Sequence, residues 1–302
     1  AAGFPSGISL RAIGVLFKLC GAIFASWRKM RETRPDVVLG MGSYASVGPV
    51  IAARLCGVPV VLHEANAVPG RAISFLSRFA ARIGIAFEAC VPHFPVDKVC
   101  MTGFPLRGAL ERLAHTDAPR FRLLVMGGSQ GAHVLNQTLP TAVQELQARG
   151  LTMHVTHLAG VRDAESVQAR YDAADVPAQV HAFTSDMASV YAETDFAIAR
   201  AGAATCTELA VCGIPALLIP LPTSARNHQA LNAMAMAAAG GMAMHPQQDL
   251  TVEWLVAYLK GVAENPEALV QMRARLEGVA VGDGADRLAD LVEQTAAGIH
   301  HK

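Results

Sequence analysis

Apolar runs that stop at glycine and give way to helical spacing recur along the chain. The clearest is Phe121–Met126, which halts at Gly127-Gly128-Ser129-Gln130-Gly131 before a helical pattern begins near Ala132. Glycine reaches backbone conformations closed to other residues and lets a ligand come close, and the free N–H groups of a helix start attract anions, phosphate above all. The order therefore predicts a strand, a phosphate-sized turn and a helix N-terminus; an ordinary glycine-rich turn is the competing reading. Two further runs share the pattern. Residues 36–41 lead into Gly42-Ser43-Tyr44 and a helix over 48–56, and residues 195–199 lead through a small-residue turn at 200–204 into a helix over 205–211. More strands are predicted at 60–63, 83–86, 98–102, Met153–Leu158, 179–182 and 216–220, and the first clear element is a helix over 9–33.

These elements fall into two units of like topology. Cys56-Gly57-Val58-Pro59 overlays Cys212-Gly213-Ile214-Pro215 at an offset of 156 residues, and Asp36 overlays Asp195 at 159. Helices ending in glycine before an apolar strand are common in doubly wound α/β units. Two such units are expected, 1–117 and 118–284, linked near 115–120, with a C-terminal helix at 285–302 returning to the first. A doubly wound half normally opens on a strand and its glycine turn. The first unit opens on a helix and is expected to be incomplete.

Composition narrows the function classes. At 302 residues and 52% apolar, the chain can bury two cores. The 25 Lys/Arg balance 25 Asp/Glu, which gives no sign of nucleic-acid binding. The balance hides an asymmetry: residues 1–117 hold 13 basic and 7 acidic residues, leaving 12 and 18 for the rest. Much of the basic excess lies on the first helix, where Arg11, Lys18, Arg28, Lys29 and Arg31 rim Leu16, Phe17, Phe24 and Trp27. A second such segment runs Arg71, Phe75, Arg78, Phe79, Arg82. Cationic amphipathic faces suit an anionic bilayer surface and equally suit packing on a sheet; both are expected here. Arg11 and Lys18 make the segment a poor membrane span. The six cysteines form no CxxC pair, so free thiols in a reducing cytoplasm are expected, and no secretory signal pattern is visible. There is no Asp-x-Asp string, and His154 and His157, three apart on a strand, would face opposite ways. No metal and no cofactor is expected.

Six strings in order, RPDVVLGMGSYAS, GVPVVLHEAN, TGFPLR, GGSQGA, AGAATCTELAVCGIPALLIPLP and NHQALNA, resemble the bacterial cell-wall glycosyltransferases that add N-acetylglucosamine to the muramyl-pentapeptide lipid. The resemblance spans essentially the whole chain. It implies the GT-B fold, an α/β architecture of two Rossmann-like doubly wound domains facing a cleft. The C-terminal domain would hold UDP-N-acetylglucosamine. The N-terminal one would face the undecaprenyl-linked muramyl-pentapeptide lipid and the anionic inner membrane surface, with the protein peripheral on the cytoplasmic side.

Carried onto this chain, the resemblance implies that Ser129, in the loop of Gly127, Gly128 and Gly131, contacts a donor phosphate, and that Arg107 also reaches the donor. The loop at Phe183-Thr184 would hold the uracil through its backbone. Ala203, Ala204, Thr205, Cys206, Thr207 and Glu208 match the nucleotide-sugar segment. Glu208 offers acceptors suited to the paired ribose hydroxyls; a carboxylate complementing a helix dipole is the alternative. His228, Gln229 and Asn232 sit on a predicted helix and would read sugar hydroxyls, with a solvated polar face as the alternative. Asn66 corresponds to a donor-sugar contact. Gly42-Ser43-Tyr44 matches the family's second glycine loop, with Ser43 in place of a glycine. His63 and Glu64, at a strand end, are a candidate acid–base pair or structural. The family's first glycine loop, GGTGGH, has no match. The resemblance thus implies an inverting, metal-independent transferase that retains donor binding, with transfer by this chain alone impaired or absent. A non-catalytic UDP-sugar-binding module and a GT-B enzyme with another lipid acceptor are the alternatives.

Overall fold

The structure is a computed structural model that describes residues 10–106, 110, 112–113, 121–128 and 131–298. Arg107, Ser129 and the predicted linker at 115–120 lie outside the described residues. The chain divides into two compact units, Ala1–Pro105 with Asp283–Lys302, and Leu106–Gly282.

In the N-terminal unit β1 (Val38–Gly40), β2 (Val60–Glu64), β3 (Arg82–Ile85) and β4 (Val99–Met101) form a parallel sheet in that order. Parallel neighbours need crossovers, and α2 (Val47–Leu55) and α3 (Arg71–Leu76) supply the first two. A long helix, α1 (Leu10–Thr33), lies against α2. Its Leu19, Trp27 and Met30 join Val50, Leu62, Ile73 and Ile83 in one core. Residues alternate faces along a strand, so Val61 looks away from that core. There it meets Leu288 and Leu291 of the C-terminal helix Gly284–Ala297.

The C-terminal unit holds β5 (Phe121–Met126), β6 (Met153–Leu158), β7 (Ala178–His181), β8 (Phe196–Ala199), β9 (Ala216–Leu218) and β10 (Met242–Met244). All pair in parallel, in the order β10-β9-β8-β5-β6-β7. Numbered within the unit, this is the 3-2-1-4-5-6 arrangement of dinucleotide-binding sheets. The order reverses between β5 and β8, and open α/β sheets bind ligands at the carboxyl ends of the strands beside such a reversal. The Arg122 guanidinium grips the Asp195 carboxylate at 2.7 and 3.2 Å and clamps these two strands at their other end. Around the sheet lie α4 (His133–Ala148), α5 (Ala164–Ala173), α6 (Met187–Ala192), α7 (Ala203–Cys212), α8 (His228–Ala238), α9 (Val252–Ala263) and α10 (Pro266–Arg275).

Helix α4 shows how sequence sets local structure. Leu135, Leu139, Val143 and Leu146 recur at helical spacing and are fully buried against Leu123, Val125, Phe196 and Ile198. Pro140 sits inside the helix and has no N–H for the Asn136 carbonyl one turn earlier. Arg170, reaching over from α5, donates to that carbonyl at 2.9 Å and to the Gln137 carbonyl at 2.9 Å. The cation thus satisfies an acceptor that the proline orphans.

Two parallel-sheet, Rossmann-like α/β units agree with the sequence expectation. Strand β10 and helices α5, α6, α9 and α10 were not predicted. Among the described residues no helix is long and apolar enough to cross a membrane.

Candidate functional site

At the carboxyl end of β5 the chain makes a tight turn, closed by Gly131 N–H donating to the Gly128 carbonyl at 3.0 Å. Gly128 and Gly131 have φ of 80° and 74°, in the left-handed region. A side chain on Gly131 would overlap the Ala159 carbonyl at the end of β6, whereas space around Gly128 is open. One glycine lets the turn pack and the other leaves its surface clear. Helix α4 starts immediately afterwards from Ala132, and α7 starts beyond β8 from Gly202; neither has a side-chain cap. Among the described residues, two helix N-termini without a side-chain cap, each a positive dipole end, therefore rise from the two strands that flank the reversal.

Beside them is a hollow of about 280 Å³ lined by Met126, Gly128, Leu158, Phe183, Thr184, Met187, Thr205 and Glu208, among others. This is near the lower bound of small-molecule sites, about 300 Å³. Phe183 is exposed at the rim. The loop beneath it is fixed locally: Thr184 Oγ1 accepts from Asp186 N–H at 3.1 Å, and Asp186 caps α6 by accepting from Ser189 N–H at 3.1 Å.

Thr205 and Glu208 lie three apart on α7 and border the hollow together. The Glu208 carboxylate accepts a 2.6 Å hydrogen bond from the hydroxyl of fully buried Tyr191. Burial raises the carboxyl pKa of Glu208, and the Tyr191 bond opposes that rise. Burial, with the nearby carboxylate, pushes the Tyr191 phenol far up, so it stays a donor. The matched segment is not uniformly available. Cys206 and Thr207 are 0% and 3% exposed, on the side of the helix turned to the core. Ala203 and Ala204 open the helix and are half-buried.

On α8, His228 Nδ1 lies 2.8 Å from the Ala225 carbonyl. A carbonyl only accepts, so Nδ1 carries the proton and Nε2 is left as an acceptor. Gln229 Oε1 accepts from Leu221 N–H at 2.9 Å. Asn232 is fully buried and donates to the Ala201 carbonyl at 3.1 Å. It ties α8 to the turn that opens α7, so the solvated-face alternative does not hold for it.

The N-terminal candidates are arranged differently. Adjacent strand residues point to opposite faces; no hydrogen bond joins His63 and Glu64 among the described residues, and the Glu64 charge acts on the ring through space. His63 Nε2 donates to the Gly103 carbonyl at 2.9 Å, and burial lowers its pKa. Glu64 accepts from the backbone and side-chain amides of Asn66 at 3.0 and 3.1 Å and from Gly70 N–H at 2.9 Å. Its carboxylate, only 4% exposed, staples the loop after β2. Gly42 and Ser43 both have positive φ, and Ser43, at φ 63° and ψ 163°, occupies a region normally reserved for glycine. Its hydroxyl accepts from Ala45 N–H at 3.2 Å, and Tyr44 begins a short 3-10 turn.

Sequence reasoning missed a buried polar network behind the glycine turn. Asn136 donates to the Ala159 carbonyl at 2.9 Å and to Asp163 at 2.7 Å, and its oxygen lies 3.0 Å from His157 Nε2. His157 Nδ1 in turn lies 3.1 Å from the Tyr171 hydroxyl. Burial drives the His157 pKa to about 3, so the ring is neutral. The only signal was the apolar setting of His157 on its strand. Among the described residues no group of three or more His, Cys, Asp or Glu is placed to hold a metal ion.

A second surface lies on α1. Phe17 and Phe24, seven apart and thus on one face, are 74% and 64% exposed, beside exposed Lys18, Arg28 and Lys29. In the next basic segment Arg78 stacks over the Phe75 ring at 4.7 Å.

Comparison with known proteins gives a consistent result. The family model of the glycosyltransferase family 28 C-terminal domain matches residues 122–288, and that of its N-terminal domain matches residues 1–85. The chain is 37% identical to the UDP-N-acetylglucosamine–N-acetylmuramyl-(pentapeptide) pyrophosphoryl-undecaprenol N-acetylglucosamine transferase of Anaeromyxobacter sp. (strain Fw109-5), over 96% of this chain and 80% of that protein. It is 39% identical to the transferase of the same name from Pseudomonas paraeruginosa, over 93% and 79%. The crystal structure of Acinetobacter baumannii MurG superposes with a TM-score of 0.79 at 32% identity, over 96% of this chain and 82% of that one. A putative UDP-N-acetylglucosamine 2-epimerase from Listeria monocytogenes, at 13% identity and a TM-score of 0.69, shares the fold.

Proposed function

The chain belongs to glycosyltransferase family 28, and from that premise we propose that its C-terminal unit binds UDP-N-acetylglucosamine at the β5/β8 reversal. The protein transfers N-acetylglucosamine from this donor to undecaprenyl-pyrophosphoryl-muramyl-pentapeptide in peptidoglycan synthesis. The single observation that carries the site assignment is the pair of uncapped helix N-termini beside an apolar hollow that ends on a carboxylate. The diphosphate lies across the turn at Gly127 to Gly131 and the start of α7. The uracil enters the hollow against the Phe183-Thr184 backbone, and Glu208 accepts from the ribose. His228 and Gln229 keep polar atoms for the sugar.

The chemistry follows from where charge builds. The muramyl hydroxyl attacks the anomeric carbon from the face opposite the leaving group, inverting it, and negative charge grows on the departing UDP. Fixed N–H dipoles stabilise that charge more in the transition state than in the ground state, so no metal is required of the residues in this role. Arg107 and Ser129 are assigned to the donor by resemblance alone. The exposed Phe17 and Phe24 among lysine and arginine support a peripheral position on the anionic cytoplasmic face of the inner membrane, where the lipid acceptor resides.

Calorimetric titration with UDP-N-acetylglucosamine, UDP-glucose and UDP, repeated on Glu208→Ala, tests the donor site. Binding of UDP that weakens in the variant is expected; undetectable UDP binding by the parent chain would refute the assignment. Flotation with vesicles containing anionic lipid tests the surface, and association that does not respond to salt would exclude it.

A further inference from the structure

The geometry points to Tyr191 as a positioning residue for nucleotide recognition. It holds the Glu208 carboxylate by one oxygen, presents the other to a vicinal diol, and so sets selectivity for a ribonucleotide over a 2′-deoxyribonucleotide. This rests on the donor-site reading and adds what aims the acceptor.

Three observations carry it. First, Tyr191 is fully buried, and its hydroxyl donates to Glu208 Oε2 at 2.6 Å. It can touch no ligand, but the fixed ring holds its hydroxyl in place. Second, among the described residues the carboxylate makes no other hydrogen bond, so Oε1 keeps both lone pairs. Third, Glu208 borders the hollow together with Thr205, whereas Tyr191 does not. An unanchored glutamate samples a broad range of terminal torsions, and a ligand must then supply the cost of ordering it. A carboxylate fixed at one oxygen has already lost that freedom. It meets two adjacent O–H donors with the second oxygen in place. The phenol's hydrogen bond also opposes the rise that burial gives the Glu208 carboxyl. The two residues are 17 apart in sequence, on α6 and α7, so the pairing is a product of the fold.

The test is calorimetric titration of the full chain with UDP and 2′-deoxy-UDP, using the parent protein, Tyr191→Phe, Glu208→Gln and Glu208→Asp. The parent should prefer UDP by about tenfold, the worth of one charge-assisted hydrogen bond. Tyr191→Phe should weaken UDP by roughly five- to tenfold while leaving 2′-deoxy-UDP within about twofold, so that the preference collapses. Glu208→Asp, which draws the carboxylate back from an unaltered Tyr191, should collapse it likewise and carries the test if Tyr191→Phe does not fold. A Tyr191→Phe protein that retains the full preference, or that loses both ligands equally, overturns the proposal. If Glu208→Gln collapses the preference and neither of the other variants does, Tyr191 alone is excluded. If the parent binds neither nucleotide, the donor-site assignment itself falls, and this proposal with it.

Discussion

In the N-terminal unit the strands lie β1-β2-β3-β4 in chain order, whereas in the C-terminal unit the order reverses between β5 and β8. Both sheets are parallel and both carry glycine turns at strand ends, yet their polar groups are used differently. Glu64 is fully engaged by Asn66 and Gly70, and Ser43 by Ala45. Around β5 and β8, among the described residues, the helix starts lack side-chain caps, Gly128 faces open space, and Glu208 keeps one oxygen without a hydrogen bond. The reversal sends neighbouring chains to opposite faces of the sheet and opens a crevice that needs no side chain to create it. Without a reversal among its described strands, the first unit closes its loops on themselves.

Each of the following substitutions would break or sharpen that contrast. The largest effect is expected at Gly131→Ala, which combines overlap with the Ala159 carbonyl and a positive φ. It should cost about 3–4 kcal/mol in denaturant unfolding and abolish UDP binding, whereas Gly128→Ala, with open space, should cost only about 1–2 kcal/mol. Equal costs would mean that the turn is not packed as described. Glu64→Ala should destabilise the N-terminal unit by about 2–3 kcal/mol, read from hydrogen exchange of β2 amides, and leave UDP affinity unchanged. Altered UDP affinity in the folded variant would show that the staple reaches into recognition.

The third effect depends on pH. His157 is neutral in the folded protein, with its pKa depressed to about 3. In the unfolded chain it takes up a proton below its ordinary value. Above about pH 6.5 it therefore contributes no pH dependence, and between there and about pH 3 the folded state loses about 1.4 kcal/mol per pH unit. Denaturation of the C-terminal unit should show this slope, and His157→Gln should flatten it; an unchanged slope would place the titration elsewhere. The smallest effect is expected at Ser43→Gly. Relief of its backbone strain should stabilise the N-terminal unit by about 1 kcal/mol, seen as a higher denaturation midpoint.

What the sequence revealed follows the strength of local signals. An apolar run ending in glycine located β5, and shorter strand-like runs located β6 and β8, to within a residue or so. Strand β10 escaped because Met242-Ala243-Met244 follows a run of alanine and glycine with no β-branched residue. Ordered strings pointed to the segment at 203–208, but a string cannot tell which side of a helix faces a ligand, so Cys206 and Thr207 were grouped with Thr205 and Glu208. The Glu64 staple was not legible for the opposite reason. Its partners are two and six residues away, yet nothing in His-Glu-Ala-Asn says that the carboxylate folds back on its own loop. Tyr191 and the Asn136–His157 network depend on tertiary contacts with no sequence periodicity.

The helix Gly284–Ala297 closes the N-terminal unit by covering Val61, but it is encoded after the whole of the C-terminal unit. During translation, which proceeds at about 5–20 residues per second, the unit begun first is the one finished last. A nascent chain that has emerged only as far as Gly282 already holds every strand of the C-terminal sheet, while Val61 and Cys100 still await Leu288 and Leu291. The face of the N-terminal sheet around Val61 therefore stays uncovered until the helix Gly284–Ala297 has been made and released.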